Sequence, residues 1–351
     1  MKSIDKFWMC VLGLCSLVLF SCSSDDDDAG GSGLQNNFFN VENGEYVDGE
    51  LPVGTDDMML QSSSFDASAL PGGSSFLTLR SNEELSEVNL SVKGQAGYIR
   101  VPLSDPDVVS AEVRSTSLYE YTVLVLISQN LEGNFTIEFT IVNKDGEVSS
   151  KVTKEVSYVE AGTGSLQVNL RFSNEKDIDL YVVEPNGNVI CYDSPFPYYS
   201  EEYQALVDWD EYDGEEPAWG TIGLDVDSNA GCYIDSINSE NIFFDESCLQ
   251  KGTYQVWVNM YSNCNPSIPT GYVVLANYKG NMIVNNLPNG NPASGEFPIN
   301  TPDNPIGDEL TGATKVMEFT VNEGREPGRS RASMSAPKAL GKGFVNQLTR
   351  H

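Results

Sequence analysis

Two short acidic runs in the C-terminal half of the chain hold the residues most able to do chemistry: Asp177-Ile178-Asp179 and Asp225-Val226-Asp227-Ser228-Asn229. Side chains two apart on an extended strand share a face. Asp177 and Asp179 are therefore expected on one side of a strand, with Ile178, Leu180 and Val182 facing a core on the other. Asp225, Asp227 and Asn229 share a face by the same rule. Crowded carboxylates repel one another unless water, a Lys or Arg, or a cation offsets them. Oxygen-only donors of this kind suit Ca2+, so these five residues are the candidate metal ligands. The competing reading is a solvated acidic strand face with Asn229 in a turn. The second run is not an EF-hand loop, because its sixth position is Ala230 and its twelfth is Ser236.

A second constellation is aromatic. Tyr198, Tyr199, Tyr203, Trp209, Tyr212 and Trp219 are interleaved with Asp208, Asp210, Glu211, Asp213, Glu215 and Glu216. Aromatic faces flanked by carboxylates can grip sugar rings by stacking and by hydrogen bonds to hydroxyls. They also serve as anchors in protein interfaces. Tyr198, Tyr199, Trp209, Tyr212 and Trp219 are the candidate ligand-binding residues. The alternative is a loop that buries its own aromatics.

Catalysis is poorly provided for. The chain has one His, at position 351, which leaves no Ser-His-Asp or Cys-His arrangement and no His-ligated zinc or iron site. No Gly-rich phosphate loop precedes a helix. A carboxylate pair can hydrolyse a glycoside, but crowded acids on a loop read more simply as solvated surface. The expectation is a protein that is not an enzyme.

Four of the seven cysteines, Cys191, Cys232, Cys248 and Cys264, lie in the C-terminal half. In an exported domain four Cys point to two disulfides. Cys248–Cys264 is the least favoured pair. The strand expected between them would be about 23 Å long, against the roughly 7 Å limit on a bridged Cα pair. That leaves Cys191–Cys248 with Cys232–Cys264, which is preferred, or Cys191–Cys264 with Cys232–Cys248. A zinc site is the runner-up, without a Cys-x2-Cys spacing to support it.

Export itself is read from the N-terminus. Lys2 and Lys6 precede an apolar stretch over residues 7–20, too short to span a bilayer and built like a secretory signal peptide. Its end, Leu19-Phe20-Ser21-Cys22, resembles the bacterial lipobox, in which the Cys is acylated and becomes the first mature residue. Cys22-Ser23-Ser24 followed by Asp25 to Asp28 resembles the tag that sends some lipoproteins to the outer face of the outer membrane. Several acyl chains hold a protein to a membrane stably where one does not. Residues 1–21 are thus a signal peptide, and 22–34 a lipidated Cys with an acidic, flexible tether. A formal net charge of −31 argues against nucleic acid or anionic lipid heads as partners.

The elements that must position these residues are strands. Period two dominates: Phe135, Ile137, Phe139 and Ile141 alternate with polar residues, as do Leu166, Val168, Leu170 and Phe172, and Tyr254, Val256, Val258 and Met260. Each run should bury one face and wet the other. With turn signals such as Pro71-Gly72-Gly73, Lys144-Asp145-Gly146 and Pro185-Asn186-Gly187, they specify an all-β chain of two tandem antiparallel β-sandwiches. The first, residues 35–160, is immunoglobulin-like with roughly seven strands. Ala161-Gly162-Thr163-Gly164 is the boundary, and the second sandwich covers 165–321. The tail, 322–351, is basic and of disorder-favouring composition.

Within the second sandwich the motifs Asp177-Ile178-Asp179-Leu180-Tyr181-Val182-Val183-Glu184-Pro185-Asn186-Gly187, Leu224-Asp225-Val226-Asp227, Ser239-Glu240-Asn241-Ile242-Phe243 and Gly252-Thr253-Tyr254 occur in order. Together they resemble the bacterial domain-of-unknown-function family 2135, with a looser likeness to bacterial pre-peptidase C-terminal domains. The resemblance implies an accessory β-sandwich without activity of its own. The chain departs from the pattern at an insert over 194–220, which holds the aromatic cluster. The expected function is a surface-exposed outer-membrane lipoprotein acting as a non-catalytic binding or adhesion module, its ligand a glycan, with Ca2+ assisting. The alternative is a structural or assembly subunit of an outer-membrane complex.

Overall fold

The computed structural model describes residues 31–55, 60–104, 106–110, 117–196 and 223–327. The fold is all-β, two tandem antiparallel β-sandwiches. The first begins with a short helix, α1 (Gly31–Asn37). It continues through β1 (Phe39–Val41), β2 (Glu45–Val47), β3 (Leu60–Phe65), β4 (Ser68–Ala69), β5 (Ser74–Ser81), β6 (Leu85–Val92) and β7 (Tyr98–Pro102). It ends with β8 (Asp107–Ser110), β9 (Ser117–Ile127), β10 (Phe135–Asn143) and β11 (Val152–Tyr158). One sheet runs β1-β9-β5-β3 with β8 also beside β9, and the other runs β2-β7-β6-β10-β11-β4. The alternation in β10 has the expected result: Phe135, Ile137, Phe139 and Ile141 face Leu77, Leu79, Leu90 and Val125 in a dry core. The strands exceed the expected seven because short edge pieces such as β2 and β4 carry too few residues to show a period.

The second sandwich comprises β12 (Leu166–Phe172), β13 (Asp177–Val183), β14 (Val189–Ile190), β15 (Gly223–Val226), β16 (Ser239–Phe244), β17 (Gly252–Ser262), β18 (Thr270–Tyr278), β19 (Asn281–Met282), β20 (Ala293–Phe297) and β21 (Thr314–Val321). Its sheets run β15-β16-β12-β18-β19, with β20 also beside β18, and β14-β13-β17-β21. Leu166, Val168, Leu170 and Phe172 meet Ile178, Leu180, Val182, Val256 and Val258 between them. Each such side chain contributes about 1.5–3 kcal/mol by leaving water.

The structure corrects three expectations. The segment read as a flexible tether up to residue 34 already contains part of α1, and Leu34 is buried in the first core. The tail does not leave the fold at residue 322. The Arg325 N–H donates to Leu249 O and the Lys251 N–H to Arg325 O, adding a parallel bridge at the sandwich edge. Most consequentially, the polar face of β12 is not wet. Gln167 and Asn169 are fully buried, because the turn after β4 packs on them. Gln167 Nε2 donates to Pro71 O at 2.7 Å and Gln129 Nε2 donates to Gln167 Oε1 at 2.8 Å. Gly72, at φ +70°, allows that approach, since a Cβ there would lie 2.0 Å from Gln167 Oε1.

Candidate functional site

The acidic residues are buried. Asp177 is 1% exposed, Asp179 3% and Asp227 9%, which rules out the solvated-face reading for these three, and Glu240 beside them is 1% exposed. Their positions follow from an unfinished sheet edge. β14 pairs only with Val182 and Val183 of β13, so the start of β13 has no strand on that side. Glu240, on β16 of the facing sheet, fills the gap: the Leu180 N–H donates to Glu240 Oε2 at 2.6 Å. Asp179 projects from the same length of β13, and Asp227 follows the end of β15, next to β16. One carboxylate oxygen from each of Asp179, Asp227 and Glu240 lies within 4.8 Å of the others.

Only part of the expected ligand set converges. Asp179 and Asp227 do. Asp177 sits beside them, but its Oδ2 is taken by the Gly231 N–H at 2.7 Å. Asp225 points elsewhere: it accepts from the Gly162 N–H at 2.5 Å and from Asn241 Nδ2 at 2.7 Å, tying the connection between the sandwiches to β15. Asn229 is a structural turn residue, as the competing reading had it. At φ +60° it accepts from the Asp235 N–H and donates to Lys176 O and Asn238 Oδ1. Asp225 is re-aimed by a bulge: it is the extra residue between the Leu224–Ile242 and Val226–Asn241 pairs, and a bulge turns a side chain away from where strict alternation would place it. Asn229 lies beyond the end of β15, where alternation no longer applies. Glu240 is the member of the group that spacing missed. Its one signal was its place in the Ser239–Phe243 motif, and as the single acid of its strand it formed no acidic run.

Burial raises every carboxyl in the cluster above its ordinary range. Asp177 is pushed up to about 7, chiefly by desolvation, with Asp227 and Asp303 adding to it and the Gly231 N–H opposing. Asp227 rises to about 6 by desolvation, eased by its hydrogen bond with Glu240. Desolvation also raises Asp179 and Glu240, and each is further raised by the other acids. Among the described residues no Lys or Arg forms an ion pair with any of them. The buried Lys176 turns away, its Nζ donating to Asn263 Oδ1 and Asn265 O. Arg171 pairs with Asp66. Such a group of acids can share protons or hold a cation.

One of the two expected disulfides is formed. Cys232 bonds Cys264, pinning the 227–238 loop to the end of β17. The Cys191–Cys248 bridge is absent, because the two residues pack in different places. Cys191 lies on the outer face of its sheet with Tyr181 and Ile306, while Cys248 lies in the core between the sheets. Both are buried thiols. Tyr198, Tyr199, Trp209, Tyr212 and Trp219, and the acylation candidate Cys22, lie outside the described residues. The flanks of the insert are described. The Leu224 N–H donates to Pro195 O at 2.8 Å, and Gly223, at φ +92°, sits where a Cβ would meet Pro195 O at 2.0 Å.

No protein-family model matches the chain, and no curated protein matches it significantly. Among solved structures it is similar to the Clostridium thermocellum CbhA fibronectin(III)-like modules, at 18% identity and a TM-score of 0.16, over 28% of this chain and 99% of that one.

Proposed function

We propose that this chain is a non-catalytic binding module on the outer face of an outer membrane, anchored through acylated Cys22, whose ligand is a glycan. The root of the insert carries this reading. The described flanks of the insert are joined by the hydrogen bond from the Leu224 N–H to Pro195 O. All five aromatic candidates lie within the insert. Specificity carried on a connection rooted in a rigid sheet is how sandwich scaffolds commonly present ligand contacts. A divalent cation, Ca2+ by the chemistry of the oxygen donors, enters as a structural partner of the second sandwich. The likeness to domain family 2135 agrees with an accessory role.

A glycan array on the protein from residue 30 onward tests this. Trp209→Ala and Trp219→Ala should each leave stability within about 1 kcal/mol, as for residues outside a core, and at least one should abolish glycan binding. Two folded variants that bind as wild type would remove the glycan reading and leave the assembly-subunit alternative. The anchor has its own test: Cys22→Ser should lose palmitate incorporation, and undiminished labelling would overturn it.

A further inference from the structure

We propose that Asp179, Asp227 and Glu240 form a Ca2+ site that clasps the two sheets of the second sandwich together. The first ground is geometry. An ion bound at about 2.3–2.6 Å spaces oxygens on its opposite sides by about 4.6–5.2 Å, and the three donor oxygens here lie within 4.8 Å of one another. The second is an unanswered acceptor. Glu240 is 1% exposed, its Oε2 takes the Leu180 N–H, and its Oε1 meets no N–H or hydroxyl donor, so that only a proton shared with Asp227 could bond the two carboxylates. A buried carboxylate oxygen left so costs on the order of 1–3 kcal/mol or more, and a cation among the three carboxylates removes that cost.

The surroundings fit a metal ligand set. Asp179 is oriented by the Tyr181 hydroxyl, which donates to its Oδ2 at 2.8 Å, as Glu240 is by the Leu180 N–H. Outer contacts of this kind hold ligating carboxylates in place. The donors are all oxygen, without the His or Cys that zinc and copper favour. Three carboxylates supply three to six oxygens, leaving room for water in a shell of six to eight. The ligands also come from separate elements: Asp179 from β13 of one sheet, Glu240 from β16 of the other, and Asp227 from the start of the disulfide-pinned loop. An ion there would cross-link two strands and the loop at the place where β14 leaves β13 uncovered.

The experiment is calcium titration calorimetry and thermal melting of the full chain in detergent, wild type against Glu240→Gln, with Mg2+ as control. No glycan is present, so the outcome is independent of the ligand reading. Gln keeps the acceptor for Leu180 and removes a charge, so the variant should melt in chelator at or above wild type. Wild type should take up a single Ca2+ and melt several degrees higher with it, Mg2+ should do less, and Glu240→Gln should lose the calcium-dependent rise. Wild type that takes up no Ca2+ would overturn the proposal and leave three acids sharing protons. A folded variant that keeps the full calcium response would overturn it too, by placing the ion elsewhere. Should the variant fail to fold, the wild-type titration alone decides.

Discussion

Arg171 of the second sandwich reaches Asp66 of the first: its Nη2 lies 2.7 Å from Asp66 Oδ1, and the Arg171 side chain is 3% exposed. The same guanidinium donates through Nη1 to Ile237 O. A charge so deeply withdrawn needs its partner, and here the partner belongs to the other sandwich. Together with the Gln167–Pro71 and Gln129–Gln167 bonds, the pair makes the boundary a polar, hydrogen-bonded joint rather than a loose hinge.

Removing one member of that pair should therefore cost more than removing both. Asp66→Ala leaves the Arg171 charge buried against a single carbonyl, a loss of about 3 kcal/mol for a partner stripped from a buried pair. The double variant Asp66→Ala, Arg171→Met should recover much of it, since apolar replacements of buried pairs are often neutral. Denaturant melts of the four proteins give the coupling. Strictly additive losses would mean that the contact is not energetically real.

The cysteines give an outcome that differs between native and unfolded protein. Cys232→Ser opens a bridge between residues 32 apart in sequence, which should lower the stability of the second sandwich by about 3–4 kcal/mol on the loop-entropy model. Peptide mapping should recover Cys232–Cys264 as a bridge and Cys191 and Cys248 as thiols. Burial pushes the Cys191 thiol up to about 12, leaving almost no thiolate to react. Iodoacetamide should label Cys191 only after unfolding. Rapid labelling of native protein would contradict this burial.

Acidity should stabilise the second sandwich when calcium is absent. Asp177 and Asp225 titrate near 7 and Asp227 near 6 in the fold, against 3.8 for an ordinary Asp, chiefly because burial disfavours their charged forms. Between about pH 4 and 7 the folded chain then holds more protons than the unfolded one, so unfolding free energy falls as pH rises. The penalty is complete above the folded values and absent below the unfolded ones. In chelator the melting temperature should be higher at pH 5 than at pH 7.5. In calcium the order should reverse, because protons compete with the metal for the same oxygens. A chelated protein that melts lower at pH 5 would show that the carboxylates are stabilised as anions by some other partner.

The period-two runs were sufficient to name strands and their inward faces. β10, β12, β13 and β17 bury the apolar residues that alternation assigns to them, because hydrophobic burial acts residue by residue on a pleated strand. The outward faces were less readable. Gln167, Asn169 and Arg171 of β12, and Asp177 and Asp179 of β13, follow a pattern that ordinarily means water, yet they are buried. What covers them is remote in sequence: a turn of the first sandwich in one case, and β16 with the 227–238 loop in the other.

The candidate site divides in the same way. Local sequence was enough to mark Asp179 and Asp227 as acids needing an offset and to set the all-β class, since each depends on residue type and short spacing; it left two disulfide pairings open, and of the preferred one the structure forms Cys232–Cys264 but not Cys191–Cys248. Only the tertiary structure decided that Asp177 and Asp225 drop out and Glu240 comes in. The bulge at Asp225 shifts register by one residue without any signature in the residues that carry it, and Asp177 is taken by the Gly231 N–H from a loop remote in sequence. A single Glu in its strand joins the two aspartates only when the short β14 leaves the edge of β13 open to it. Spacing along one strand sets which residues share a face, but the pairing of strands far apart in sequence sets which faces meet.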